Sequence, residues 1–110
     1  MSLDIGKMAG DMGAAFLNVL KDKAPDIEKY AKDESAKMAQ SLAKIASLLA
    51  AGKIDEDEAK LQLNIQKQAT KAVLLAIAGV SLLAAEAAIN AALATVKTAV
   101  NTAVGFALIA

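Results

Sequence analysis

Residues 72–110 contain only two charged side chains, Glu86 and Lys97, whereas residues 1–71 contain the other 22. A stretch this apolar must be kept from water, so either the first part of the chain covers it or something outside the chain does. At 110 residues the chain has the size of one domain with a single modest core.

The apolar surface is built from small groups, because 27 alanines stand against three aromatic residues, Phe16, Tyr30 and Phe106. Alanine is the strongest helix former, strands draw on β-branched and aromatic side chains, and one proline with six glycines leaves few places to break a helix. The expected fold is all-α, a single domain over residues 1–110. It is an antiparallel helical hairpin or bundle with an N-terminal amphipathic helix and a long, Ala-rich, apolar C-terminal helix.

Periodicity places the elements. Over residues 3–23, Ile5, Met8, Met12, Phe16 and Val19 recur at steps of three and four, opposite Lys7, Asp11, Asn18 and Asp22. Pro25 calls for a turn or kink near Ala24. A second helix is expected over residues 26–51, with Ile27, Ala31, Met38, Leu42, Ile45 and Leu49 forming a seam. Gly52 suits its C-cap, and Asp55 with Glu58 forms an acidic capping box that starts the next helix at once. So short a connection makes the two helices antiparallel.

The third helix opens amphipathic, with Leu61, Ile65, Ala69, Ala72 and Ala76 on one face. Beyond residue 72 that contrast fades, and Glu86, Asn90, Lys97 and Asn101 share one narrow polar stripe. Glu86 to Lys97 and Asn90 to Asn101 each span eleven residues, the interval at which a straight helix returns to the same face. Residues 55–108 therefore read as one helix, with Gly79 as the place for a bend, and about 80 Å long if unbroken.

Several function classes are disfavoured. Twelve lysines balance twelve acids, and arginine is absent, so no field or guanidinium fork recommends nucleic acid as a partner. Without histidine or cysteine, the usual acid–base, nucleophilic and metal-ligating groups are missing, and no catalytic residue, metal ligand, cofactor or small-molecule substrate is expected. The acids at residues 55–58 fail as a calcium loop, since Lys60 stands where glycine is required and Gln66 where the bidentate glutamate belongs. Gly52-Lys53 fails as a phosphate loop, since Ser47 replaces the first glycine and Ile54 the hydroxyl residue.

The expected activity is self-association. Ala84, Ala88 and Ala92, then Ala99, Ala103 and Ala107, form rows of small residues that let helices approach closely and serve as the candidate oligomer interface. For Glu86, Asn90, Lys97 and Asn101 three readings stand: a solvated stripe, an inter-chain Glu86–Lys97 pair that fixes register, or the lining of a water-filled pore. The expected function is thus a non-catalytic structural or adaptor subunit of a homo-oligomer.

The alternative is a membrane-active protein of the pore-forming or lysis type. Residues 72–96 are long enough to span a bilayer, with Lys71 and Lys97 as flanking anchors. The insertion energy is marginal, because ten Leu, Ile and Val residues contribute roughly −5 kcal/mol and the Glu86 carboxylate returns about +3. The N-terminus has no compact hydrophobic run after a basic start, which favours a cytoplasmic location over a secreted one.

Overall fold

The computed structural model describes residues 3–22, 27–76 and 79–110. Those residues form four helices: α1 (Ile5–Leu20), α2 (Ile27–Ala50), α3 (Glu56–Ala76) and α4 (Leu82–Val104). The turn expected near Ala24 and Pro25 lies outside the described residues.

Local chemistry sets the helix ends. The Asp4 side chain accepts from the Lys7 amide at 3.0 Å and caps α1. At the end of α2, Gly52 adopts φ +70°, while the Lys53 amide reaches the Leu48 carbonyl and the Gly52 amide reaches that of Leu49. That pair of bonds is a Schellman closure, and the left-handed glycine makes it free of Cβ strain. The Glu58 amide then donates to Asp55 Oδ1 at 2.8 Å and the Asp55 amide to Glu58 Oε1 at 3.2 Å, the reciprocal capping box at the entrance of α3.

The stretch expected as one long rod is two helices. Gly79 takes φ +64°, the Val80 amide bonds the Leu74 carbonyl at 3.3 Å, and Ser81 caps α4 by accepting from the Ala84 amide. The longest dimension of the molecule is 42 Å, where the rod alone would have reached about 80 Å. The physical reason is burial: folding back places eight residues of α4, from Ala84 to Val100, out of water.

Met8, Met12, Phe16 and Leu20 of α1 pack with Ile27, Ala31, Met38, Leu42 and Ile45 of α2, and both sets are buried. Helix α1 touches α2 and α4, α3 also touches α2 and α4, and α1 and α3 lie on opposite sides of that pair. Gly13 of α1 sits over Ser35 of α2, where a Cβ would come within 3.7 Å of Ser35 Oγ. A polar thread joins the hairpin. Ser41 Oγ of α2 donates to Gln66 Oε1 at 2.9 Å, and Gln66 Nε2 donates to the buried Thr70 Oγ1 at 3.2 Å.

Candidate functional site

Three surfaces stand out by residue type, and the fold assigns each a position. The alanine row begins inside the molecule. Ala84, Ala88 and Ala92 are buried by the chain's own helices, so in this conformation a second copy has no access to them. Further along, Ala99 and Ala107 are exposed and Ala103 is half-buried. Ala99 borders a shallow groove against α1 near Met8 and Asp11, and Ala103 borders another against Leu49 of α2. The row therefore serves first as the seat of α4 on its own chain. Its small side chains allow close helix approach, and at Ala84, Ala88 and Ala92 the helices that approach are the chain's own.

The polar stripe is largely exposed and meets its own chain at its two ends. Glu86 lies 3.9 Å from Lys71 of α3, with the two side chains 49% and 24% exposed. A pair so wet contributes less than about 1 kcal/mol, so it marks the α3–α4 juxtaposition more than it creates it. Asn101 Nδ2 donates to the Ile109 carbonyl and its Oδ1 accepts from the Ile109 amide, both at 2.9 Å. Within one chain, the lysine nearest Glu86 in an ion pair is Lys71. Asn90 and Lys97 are exposed on the same stripe and face a cleft between α3 and α4.

Helix α3 presents the third surface. Its core side is Ala59, Leu63, Thr70 and Leu74, all buried. The face read as its apolar side, Leu61, Ile65, Ala69, Ala72 and Ala76, points outward, with Leu61 59% and Ile65 60% exposed. The two sets are offset by two positions, about 200° around the helix, so α3 carries apolar stripes on opposite sides. One side can dock on α2 and α4, and the thread from Ser41 through Gln66 to Thr70 lies on that side. No described residue is placed to cover the other, since α1 is across the bundle. Close by, at the α3–α4 corner, Leu82 and Leu83 are 52% and 81% exposed.

Along a third edge of α3, Lys60, Lys67 and Lys71 recur at steps of seven and four and face α4. Lys60 Nζ stands 5.9 Å from the centroid of the Phe106 ring. Among the described residues no group of three or more carboxylates is arranged to hold a metal ion.

Compared with known proteins, the chain matches no family model, no curated sequence and no solved structure.

Proposed function

We propose that this chain is a non-catalytic, self-associating helical protein, a structural or adaptor subunit whose copies meet through the outward face of α3. The observation that supports this reading is the exposed stripe Leu61, Ile65, Ala69, Ala72 and Ala76, which lies opposite the core side of the same helix. Two large aliphatic side chains a turn apart, continued by a row of alanines, form a surface that gains by leaving water.

The stripe is also self-complementary in size. Its large residues occupy one end and its alanines the other, so an antiparallel pairing about a two-fold axis between positions 68 and 69 sets Leu61 against Ala76 and Ile65 against Ala72. A two-fold interface requires this reciprocity of one patch with itself. The lysines of α3 that face α4 lie on a different edge, so they do not meet across such a contact.

The contact is small. A strip roughly 24 Å long and 10 Å wide is well short of the ~800 Å² per partner of a standard interface, so the association is weak and reversible. Sedimentation equilibrium from about 10 μM to about 1 mM tests it, a range that covers dissociation constants of that strength. The mass average is expected to rise toward a dimer, and a constant monomer mass across the whole range would reject the reading.

A second reading is favoured by one observation. Helix α4 is long and apolar enough to cross a membrane by length and composition, with 44% of its most apolar window buried in the fold and Glu86, Asn90 and Lys97 on the side that faces outward. In that reading the bundle stores α4 and releases it to lipid, with Leu82 and Leu83 making first contact. Dye release from neutral and anionic vesicles tests it, and intact vesicles at every protein concentration would remove it.

A further inference from the structure

We propose that the cleft between α3 and α4 binds a small anionic amphiphile, a short alkyl or acyl chain bearing a phosphate or carboxylate head. The cleft has a volume of about 370 Å³, and its rim carries Lys60, Lys67 and Lys97 with Asn64 and Asn90 between them. Its floor is apolar, formed by Leu63, Leu93, Leu108 and Ile109, each nearly excluded from water. Cationic rim and greasy floor are the two halves of a site for a molecule with a charged end and an apolar body.

Charge selects the sign of the ligand. The chain as a whole is neutral, yet four of its lysines converge on this groove and its extension toward Lys71, against Glu86 as the only carboxylate side chain along it among the described residues and the main-chain carboxylate of Ala110, which also lines the cleft. Glu86 lies at the far end and pairs with Lys71. Among the described residues the ion pairs are Lys37–Glu34 within α2 and Lys71–Glu86 at the end of the groove, so Lys60, Lys67 and Lys97 face the cleft without a carboxylate partner. Lys60 also lies 5.9 Å from the Phe106 ring, which borders the neighbouring groove toward α2, so Lys67 and Lys97 are the lysines on which the site chiefly depends. The asparagine amides add neutral donors for head-group oxygens.

Size selects the class. Ligand pockets run from ~300 to ~1,000 Å³, and this one is at the small end, which suits a single short chain and excludes a double-chain lipid held whole. A nucleic-acid backbone is a poor match, because its affinity is gathered over many phosphate contacts and the lysines here are confined to one short groove. Residue spacing alone does not reveal such a site, because the groove draws its lysines from helices that are neighbours only once α4 folds back.

Calorimetric titration with octyl phosphate at low salt tests the proposal on the full chain, with octanol and inorganic phosphate as the two half-ligands. Octyl phosphate is expected to saturate one site at least tenfold more tightly than either half. The double substitution Lys67→Glu/Lys97→Glu is expected to weaken it at least tenfold, and Lys67→Gln/Lys97→Gln to fall between. Neither lysine is in the core, and circular dichroism confirms that the variants keep their helices. Octanol binding as tightly as octyl phosphate, variants indistinguishable from the parent, or no saturable binding to folded protein would each overturn the site. Flotation with phosphatidylglycerol vesicles, against phosphatidylcholine, then identifies the source. Vesicle binding that requires Lys67 and Lys97 points to lipid head groups, and octyl phosphate binding without flotation points to a free amphiphile.

Discussion

Asn101 holds the backbone of Ile109 from both sides, its amide nitrogen donating to the Ile109 carbonyl and its oxygen accepting from the Ile109 amide, each at 2.9 Å. Gly105, at φ +84°, turns the chain out of α4 so that this side chain can reach a segment eight residues on. The clamp seats Leu108 and Ile109, both 5% exposed, against the α3–α4 cleft.

Replacing Asn101 by Ala removes two hydrogen bonds and leaves the Ile109 amide and carbonyl without partners. At about 0.5–1.5 kcal/mol per bond the expected loss is roughly 1–3 kcal/mol. Asn101→Asp keeps the acceptor and loses the donor, so it is expected to fall between. Urea denaturation measures both, and an Asn101→Ala midpoint equal to the parent's would show that the clamp contributes nothing.

Leu61 and Leu63 are two positions apart on α3, with opposite surroundings, 59% and 5% exposed. Leu63→Ala is expected to cost about 2–5 kcal/mol, as a buried leucine does. Leu61→Glu/Ile65→Glu is expected to change stability by less than about 1 kcal/mol while abolishing any concentration-dependent rise in mass. If the double glutamate variant unfolds instead, the stripe is core and not surface.

The antiparallel register is open to cysteine cross-linking, since the chain has no cysteine of its own. A disulfide needs Cα atoms within about 7 Å, which makes it a sharp ruler. Ala69→Cys, beside the proposed two-fold axis, is expected to form a dimer with itself. Leu61→Cys alone is not, but Leu61→Cys mixed with Ala76→Cys is. A dimer seen by sedimentation with the opposite cross-linking pattern would keep the self-association and discard the register.

Whether a feature is legible in the sequence depends on whether the deciding interaction is local. Helices α1 and α2 are legible, because each has one apolar stripe, and Met12, Phe16, Met38 and Leu42 lie in the core as their spacing demands. The Gly52 closure and the Asp55–Glu58 box are too, because a few consecutive residues settle them. The orientation of α3 is not. Its outward stripe is the more regular of its two apolar faces, and the inner face is chosen by Ser41 and by the helices beyond it. The site residues follow the same division: periodicity puts Glu86, Asn90, Lys97 and Asn101 on one stripe, but Lys71 meets Glu86 only because the chain reverses near Gly79, and Ile109 meets Asn101 only because Gly105 turns the chain out of α4.

That reversal can be tested through the glycines. Gly10 lies within α1, is exposed, and an added Cβ would meet nothing within 4 Å, so Gly10→Ala is expected to stabilise by about 0.5–1 kcal/mol through helix propensity. Gly79 is also exposed with open space around it, yet its φ of +64° is a conformation that costs an L side chain about 1–2 kcal/mol. Gly79→Ala is therefore expected to destabilise by that amount even though it removes a helix-breaking residue from an otherwise continuous apolar pattern. It should not straighten the chain, because the eight buried residues of α4 outweigh the strain several-fold at about 25 cal/mol per Å². Thermal unfolding reads the stability and small-angle scattering the shape. A Gly79→Ala variant with a higher melting temperature than the parent, or one whose longest dimension grows toward the length of an unbroken rod, would mean that the reversal is not held by the burial of α4.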